Sequence, residues 1–196
     1  MRVFLGVTGA SGAPYAERLL HALAAVDCEI GLTASRSGIE VLATELYGDP
    51  SLSREEVLDR FVGSAAAQVT VYGENDFRSP YASGSARVDA YVICPCSMAT
   101  VGTIASGAMQ NLIHRAASVA LKERRKLVLV PRETPLSSIH LRGLATLNDA
   151  GAVILFAAPG FYHRPESIDD LVDFLVARCL DQIGIDNALV KRWGDA

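Results

Sequence analysis

RVFLGVTGASGAPYAERLLHALAA, residues 2–25, reads as a strand, a glycine turn and a helix in immediate succession. Arg2–Val7 is the continuous apolar run required of a strand covered on both faces. Thr8-Gly-Ala-Ser-Gly12 turns the chain. Ala13–Ala25 then places Leu19, Leu20 and Leu23 on one helical face.

Outward from this unit the same alternation recurs. Glu29–Thr33 reads as a strand and Ser37–Leu46 as a helix. Ser53–Phe61 is a helix opened by the capping box of Ser53 and Glu56, and Val69–Tyr72 a short strand. Asp89–Cys94 is the strongest strand signal, ended by Pro95. Ala99–Ile113 predicts a small-residue helix, and Ala116–Arg124 another. Leu127–Val130 is a strand closed by Pro131, Ser137–Ala150 a helix, Ala152–Phe156 a strand and Ile168–Ile183 an amphipathic helix. Strands alternating with helices imply βαβ units. The fold class is therefore α/β: a single doubly wound, mostly parallel sheet, Rossmann-like or flavodoxin-like, with helices on both faces and one domain over residues 1–196.

The 196 residues suit one well-filled domain. Hydrophobic residues make up 50% and charged ones 20%, against a usual charged share of about 25%. With a mean hydropathy of +0.25, the composition predicts apolar surface hidden by self-association. A net charge of −4 offers no electrostatic footprint for nucleic acid, and Lys122-Glu-Arg-Arg-Lys126 reads as a solvated helix end. No apolar run approaches the roughly 18 residues of a membrane span, and no signal segment stands out. A cytoplasmic location follows, with Cys28, Cys94, Cys96 and Cys179 reduced.

In doubly wound sheets ligands lie beyond the carboxyl ends of the strands. The informative loops are thus Thr8–Gly12, Ala34–Ser37, Pro95–Thr100, Arg132–Ser138 and Ala157–Pro165. Gly6, Gly9 and Gly12 give G-x-x-G-x-x-G before a helix whose first N–H groups can hold an anion. A nicotinamide reductase is one candidate, but Ser35 and Arg36 stand where an acidic ribose ligand belongs, and no Tyr-x-x-x-Lys pair exists. Arg36 leaves room for a 2′-phosphate. Gly9-Ala-Ser-Gly-Ala13 falls one residue short of a hydrolase nucleophile elbow. Cys94-Pro-Cys96 lacks redox or metal spacing, and His21, His114, His140 and His163 lack ligand spacing, so no metal site is expected.

The late loops carry more chemistry. Arg132 and Glu133 follow a strand directly, Tyr162 lies in the next such loop, and Arg178 interrupts the last helix, where burial would require an anionic partner. Lys122 and Arg115 add further cations. Several cations and a phenol, without acidic metal ligands, suit a phosphate held directly by protein.

Longer stretches then combine: Thr8-Gly-Ala-Ser-Gly-Ala13, Ala43-Thr-Glu45, Val92-Ile-Cys-Pro-Cys-Ser97, Val119-Ala-Leu-Lys-Glu-Arg-Arg125, Leu127-Val-Leu-Val-Pro-Arg-Glu-Thr-Pro135, Pro159-Gly-Phe-Tyr-His-Arg-Pro165 and Arg192-Trp-Gly194. Through them the chain resembles the flavin prenyltransferases, the UbiX family, over nearly its whole length. The resemblance implies transfer of a dimethylallyl group from dimethylallyl monophosphate to N5 and C6 of reduced FMN. The product, prenylated FMN, would serve a UbiD-type decarboxylase in ubiquinone synthesis or aromatic acid metabolism. It also implies independence of metal and a homododecamer with sites at subunit junctions.

By position, the resemblance assigns FMN to Gly9, Ala10 and Ser11, to Ser35, to Ser97, Met98, Ala99 and Thr100, and to Arg132. The dimethylallyl phosphate would meet Lys122, Arg132, Glu133, Tyr162, Arg178 and Arg115. Ser11 and Glu45 would relay a proton near N5, and Trp193 would close the site. Two flavin-binding alternatives stand beside this one. A non-catalytic FMN carrier would bind without turnover. A peptidyl-cysteine decarboxylase would need an early catalytic His, and His21 lies inside the first predicted helix.

Overall fold

The computed structural model describes residues 1–192 and Gly194. Its strands are Arg2–Val7 (β1), Glu29–Ala34 (β2), Val69–Val71 (β3), Ala90–Cys96 (β4), Lys126–Pro131 (β5) and Val153–Ile154 (β6). The helices are Ala13–Ala25 (α1), Arg36–Tyr47 (α2), Arg54–Val62 (α3), Met98–Ala105 (α4), Leu112–Lys122 (α5), Ser138–Asp149 (α6) and Ile168–Ile183 (α7). All six strands pair in parallel in the order β3-β2-β1-β4-β5-β6. The chain winds outward from β1 to β3, then crosses back to place β4 on the other side of β1. That reversal opens a crevice between the loops after β1 and β4.

Successive strand residues point to opposite faces, and two cores result. Val3, Leu5, Val7, Val92 and Val128 pack under α1, α2, α3 and α7. Phe4, Tyr91, Ile93, Leu127 and Leu129 pack under α4, α5 and α6. On α7, Leu175, Val176, Leu180 and Ile183 are buried, each contributing about 1.5–3 kcal/mol. The partly exposed Arg18–Asp173 ion pair between α1 and α7 adds at most about 1 kcal/mol. Apolar burial therefore docks this helix, with the ion pair a minor addition.

Three element boundaries depart from the sequence expectation. Pro95 does not end β4: the strand runs on to Cys96, paired with Pro131 after a register shift. The proline is tolerated because it falls within that register shift, where no ladder bond needs its missing N–H, and its carbonyl accepts from Thr8. The predicted helix Ala99–Ile113 is two helices. α4 stops at Ala105, Gly107 takes a positive φ of 77°, and Asn111 restarts the chain by accepting the His114 amide at 3.0 Å. β6 spans only two residues, although the Leu155 and Ala157 amides still bond to the carbonyls of Leu129 and Pro131. Among the described residues, no helix is long and apolar enough to cross a membrane.

Candidate active site

Thr8 ties the crevice together. Its amide and its hydroxyl both donate to the Pro95 carbonyl, at 3.1 and 2.9 Å. The hydroxyl oxygen in turn accepts the Ser97 amide at 2.7 Å. Ser97 caps α4, its Oγ accepting the Thr100 amide at 3.3 Å and lying 3.0 Å from the Thr100 hydroxyl. Met98 and Thr100 are buried beneath, while Ala99 faces outward. Across the crevice Ser35 caps α2, accepting the Gly38 amide at 3.1 Å. Two glycines allow α2 to press against the first loop: a Cβ on Gly9 would fall 2.4 Å from Ser37 Cβ, and one on Gly38 would fall 2.5 Å from the Val7 carbonyl oxygen.

The start of α1 is already occupied. Oε2 of Glu45, reaching over from α2, accepts the amides of Gly12 and Ala13 at 2.8 Å each. These are N–H groups that the glycine turn appeared to offer to a bound anion, so a phosphate on them is ruled out by a carboxylate of the chain itself. Burial pushes the Glu45 carboxyl upward, but the Ser11 hydroxyl, the two amides and the Arg132 charge together bring it below its ordinary value. Glu45 is therefore ionised at neutral pH and can only accept, which makes Ser11 the donor between them. Arg132 closes the group from the far side, its Nε donating to the Ser11 carbonyl at 3.3 Å. The half-buried Glu133 follows, its Oε1 accepting the Thr134 amide at 3.2 Å.

A second cleft, of about 310 Å³, lies along α7 and brings Tyr162 and Arg178 together with Phe174 and Asp181. Arg178 is half-exposed rather than buried, and Asp181 is its anionic partner at 3.1 Å. Asp181 also accepts from Arg192 at 2.9 Å and Asn187 at 3.1 Å. No residue of the β1–β4 crevice lines this cleft.

Lys122 and Arg115 form a third group, on α5. Lys122 ends that helix, paired with Glu123, just before β5 begins at Lys126, whereas Arg132 follows the other end of β5. Six strand residues, about 20 Å, separate those two ends. Arg115 is directed at the Ala82 carbonyl, 2.9 Å away. Trp193 lies outside the described residues.

Sequence reasoning missed Thr8 and Gly38, whose roles depend on partners about ninety and thirty residues away along the chain; the position of Thr8 beside the glycine turn was the available signal. It also passed over the rings of His163 and Phe174 beside Tyr162. Cys28, Cys94, Cys96 and Cys179 are free, buried thiols. Among the described residues no three His, Cys, Asp or Glu side chains converge to hold a metal ion.

The flavoprotein family model matches residues 1–180. A flavin prenyltransferase UbiX of Pseudomonas aeruginosa is 51% identical over 198 aligned residues, covering 99% of this chain and 94% of that protein. The chain belongs to the flavin prenyltransferase family. The solved structure of AnUbiX in complex with FMN and dimethylallyl pyrophosphate is 39% identical, with a TM-score of 0.86, covering 100% of this chain and 98% of that one. A dodecameric FMN-dependent UbiX-like decarboxylase from Escherichia coli O157:H7 is 38% identical, TM-score 0.86, with both chains covered completely. The crevice, the α5 cations and the Tyr162, Phe174 and Arg178 side of the cleft fall inside the stretch that the family model matches, while Asp181, Asn187 and Arg192 of the cleft lie beyond it. The reductase, hydrolase and cysteine-decarboxylase alternatives give way to a flavin prenyltransferase.

Proposed function

We propose that this chain acts as one flavoprotein domain that transfers the dimethylallyl group of dimethylallyl monophosphate to reduced FMN without a metal. The observation carrying this reading is the Ser11–Glu45–Arg132 group at the switch-point crevice of a chain in this family. The crevice suits a flavin: Gly9 and Ala99 leave its walls low, Ser11, Ser35 and Ser97 supply hydroxyls along it, and Thr100 supports Ser97 from beneath. Gly9, Ala10, Ser11, Ser35, Ser97, Met98, Ala99, Thr100 and Arg132 would hold FMN, which supplies the nucleophilic N5 and C6.

Ser11, donating to ionised Glu45, keeps its oxygen lone pairs for the proton at N5. Arg132, Lys122, Arg178 and Tyr162, aided by Arg115, take the charge that develops on phosphate as the allylic C–O bond breaks; fixed donors of this kind are worth most in a water-poor site. Glu133 would assist removal of the proton that ring closure at C6 of bound FMN must release. Trp193 would cover the allyl group with its ring face.

Assembly supports the same reading. The crevice, the cleft and the α5 cations lie apart on one chain, and a solved relative is dodecameric. Phe161, Ile139 and Ile168 are 70–75% exposed, surface that a homododecamer would cover. The product would pass to a UbiD-type decarboxylase in the cytoplasm.

The test is anaerobic incubation of the protein with reduced FMN and dimethylallyl monophosphate, without metal, followed by mass analysis of the extracted flavin. A gain of one prenyl unit, reduced in Tyr162→Phe and Glu133→Gln, is the expected result. Bound but unmodified FMN would instead identify a flavin carrier.

A further inference from the structure

Phe174, one helical turn before Arg178, is the hub of an aromatic cluster that the chemistry above leaves unused. The His163 ring lies parallel to it, 5.1 Å between centroids and 2° between planes. Tyr162 meets Phe174 edge-on at 5.7 Å and His163 edge-on at the same distance. Gly160 seals the group, since a Cβ there would fall 3.2 Å from both Phe174 Cζ and Tyr162 Cε1.

Both nitrogens of His163 are buried and, among the described residues, have no hydrogen-bond partner. Within these contacts the imidazole meets its neighbours through its ring, one face lying on Phe174. Residues four apart share a helix face, which puts Phe174 and Arg178 on one stripe of α7. Tyr162, Phe174 and Arg178 all line the same cleft, so clamping Tyr162 against Phe174 holds the phenol in the cleft that Arg178 also lines.

We propose that His163 is a positioning residue for phosphate recognition: stacked on Phe174, it fixes the Tyr162 ring so that phenol and guanidinium address one phosphate together. This rests on the assignment of Tyr162 and Arg178 to the dimethylallyl phosphate.

The experiment compares His163→Ala and His163→Phe with the unaltered protein. It measures kcat and KM for dimethylallyl monophosphate, the affinity for FMN, and calorimetric affinity for dimethylallyl monophosphate with oxidised FMN bound. An aromatic contact is worth about 0.5–1.5 kcal/mol, so His163→Ala should raise KM and weaken binding about 2- to 12-fold, with kcat and FMN affinity unchanged. His163→Phe keeps the flat ring and should match the unaltered protein. In a Tyr162→Phe background, without the phenol to place, the His163→Ala penalty should vanish. The proposal is overturned if His163→Phe is as impaired as His163→Ala, if kcat falls at constant KM, or if the penalty persists without the phenol. Should His163→Ala not fold, Phe174→Leu removes the opposite plate and is read in the same way. An unaltered protein that fails to turn over would refute the assigned function before any variant is compared.

Discussion

The Thr8 hydroxyl accepts the Ser97 amide at 2.7 Å while giving its own proton to the Pro95 carbonyl. One buried side chain thus joins the two loops that flank the β1–β4 crevice. Thr8→Val keeps the shape but strands a buried amide, at a cost of about 1–3 kcal/mol. Urea unfolding should register that loss, and fluorescence titration should show FMN binding weakened about tenfold, the equivalent of 1.4 kcal/mol. Thr8→Ser should recover most of both. Unchanged FMN affinity in Thr8→Val would mean the tie does not shape the crevice.

Glu45→Gln removes a negative charge from the start of α1, where such a charge is worth about 0.3–1 kcal/mol. The folded carboxyl sits below its ordinary value of 4.5. Its stabilisation is complete above that value and disappears as pH falls through the lower, folded one. The stability gap between the two proteins should therefore be full at pH 7 and close as the solution is acidified below about 4.5, as followed by urea unfolding at a series of pH values. A gap that widens on acidification would contradict the sign.

Gly38→Ala and Gly102→Ala should separate cleanly. The first sets a Cβ 2.5 Å from the Val7 carbonyl oxygen, a backbone atom that cannot swing aside; the second meets nothing within 4 Å. Overpacking of the first kind costs about 1–3 kcal/mol, and it falls on the contact that holds α2 against the end of β1 and the loop that follows. Gly102→Ala, on an exposed helical position, should gain about 0.5–1 kcal/mol. Thermal denaturation orders the three proteins, and FMN titration should find only Gly38→Ala defective.

Burial pushes the thiols of Cys94, Cys96 and Cys179 upward, that of Cys179 to about 12. A thiol rather than a thiolate reacts slowly. An aromatic disulfide reagent at pH 8 should leave the native protein unlabelled and find all four cysteines after unfolding in urea. Rapid native labelling at any of them would show that its core opens.

The fold was legible because the signals were local. The α7 boundaries Ile168–Ile183 follow from its apolar face, and α3 from the Ser53–Glu56 box, which forms as expected. The expectation failed where distant partners decided. β4 continues past Pro95 because Thr8 bonds the Pro95 carbonyl and Pro131 pairs with Cys96, and the break before Asn111 has no proline to announce it. The same division holds in the site. Arg132 and Glu133 follow a strand and could be placed in the crevice from sequence. Glu45 sits on the α1 amides only because α2 packs beside α1, which no spacing within residues 36–47 reveals.

The positions of Lys122 and Arg132 at opposite ends of β5 carry one more consequence. If both serve one phosphate, they come from different copies of the chain, and two separate defects need not coincide. Lys122→Ala and Arg132→Ala, each inactive alone, should regain turnover when unfolded together and reassembled, because some junctions then receive an intact lysine from one parent and an intact arginine from the other. Inheritance of activity would belong to the seam between chains, and selection on either residue would act through its neighbours.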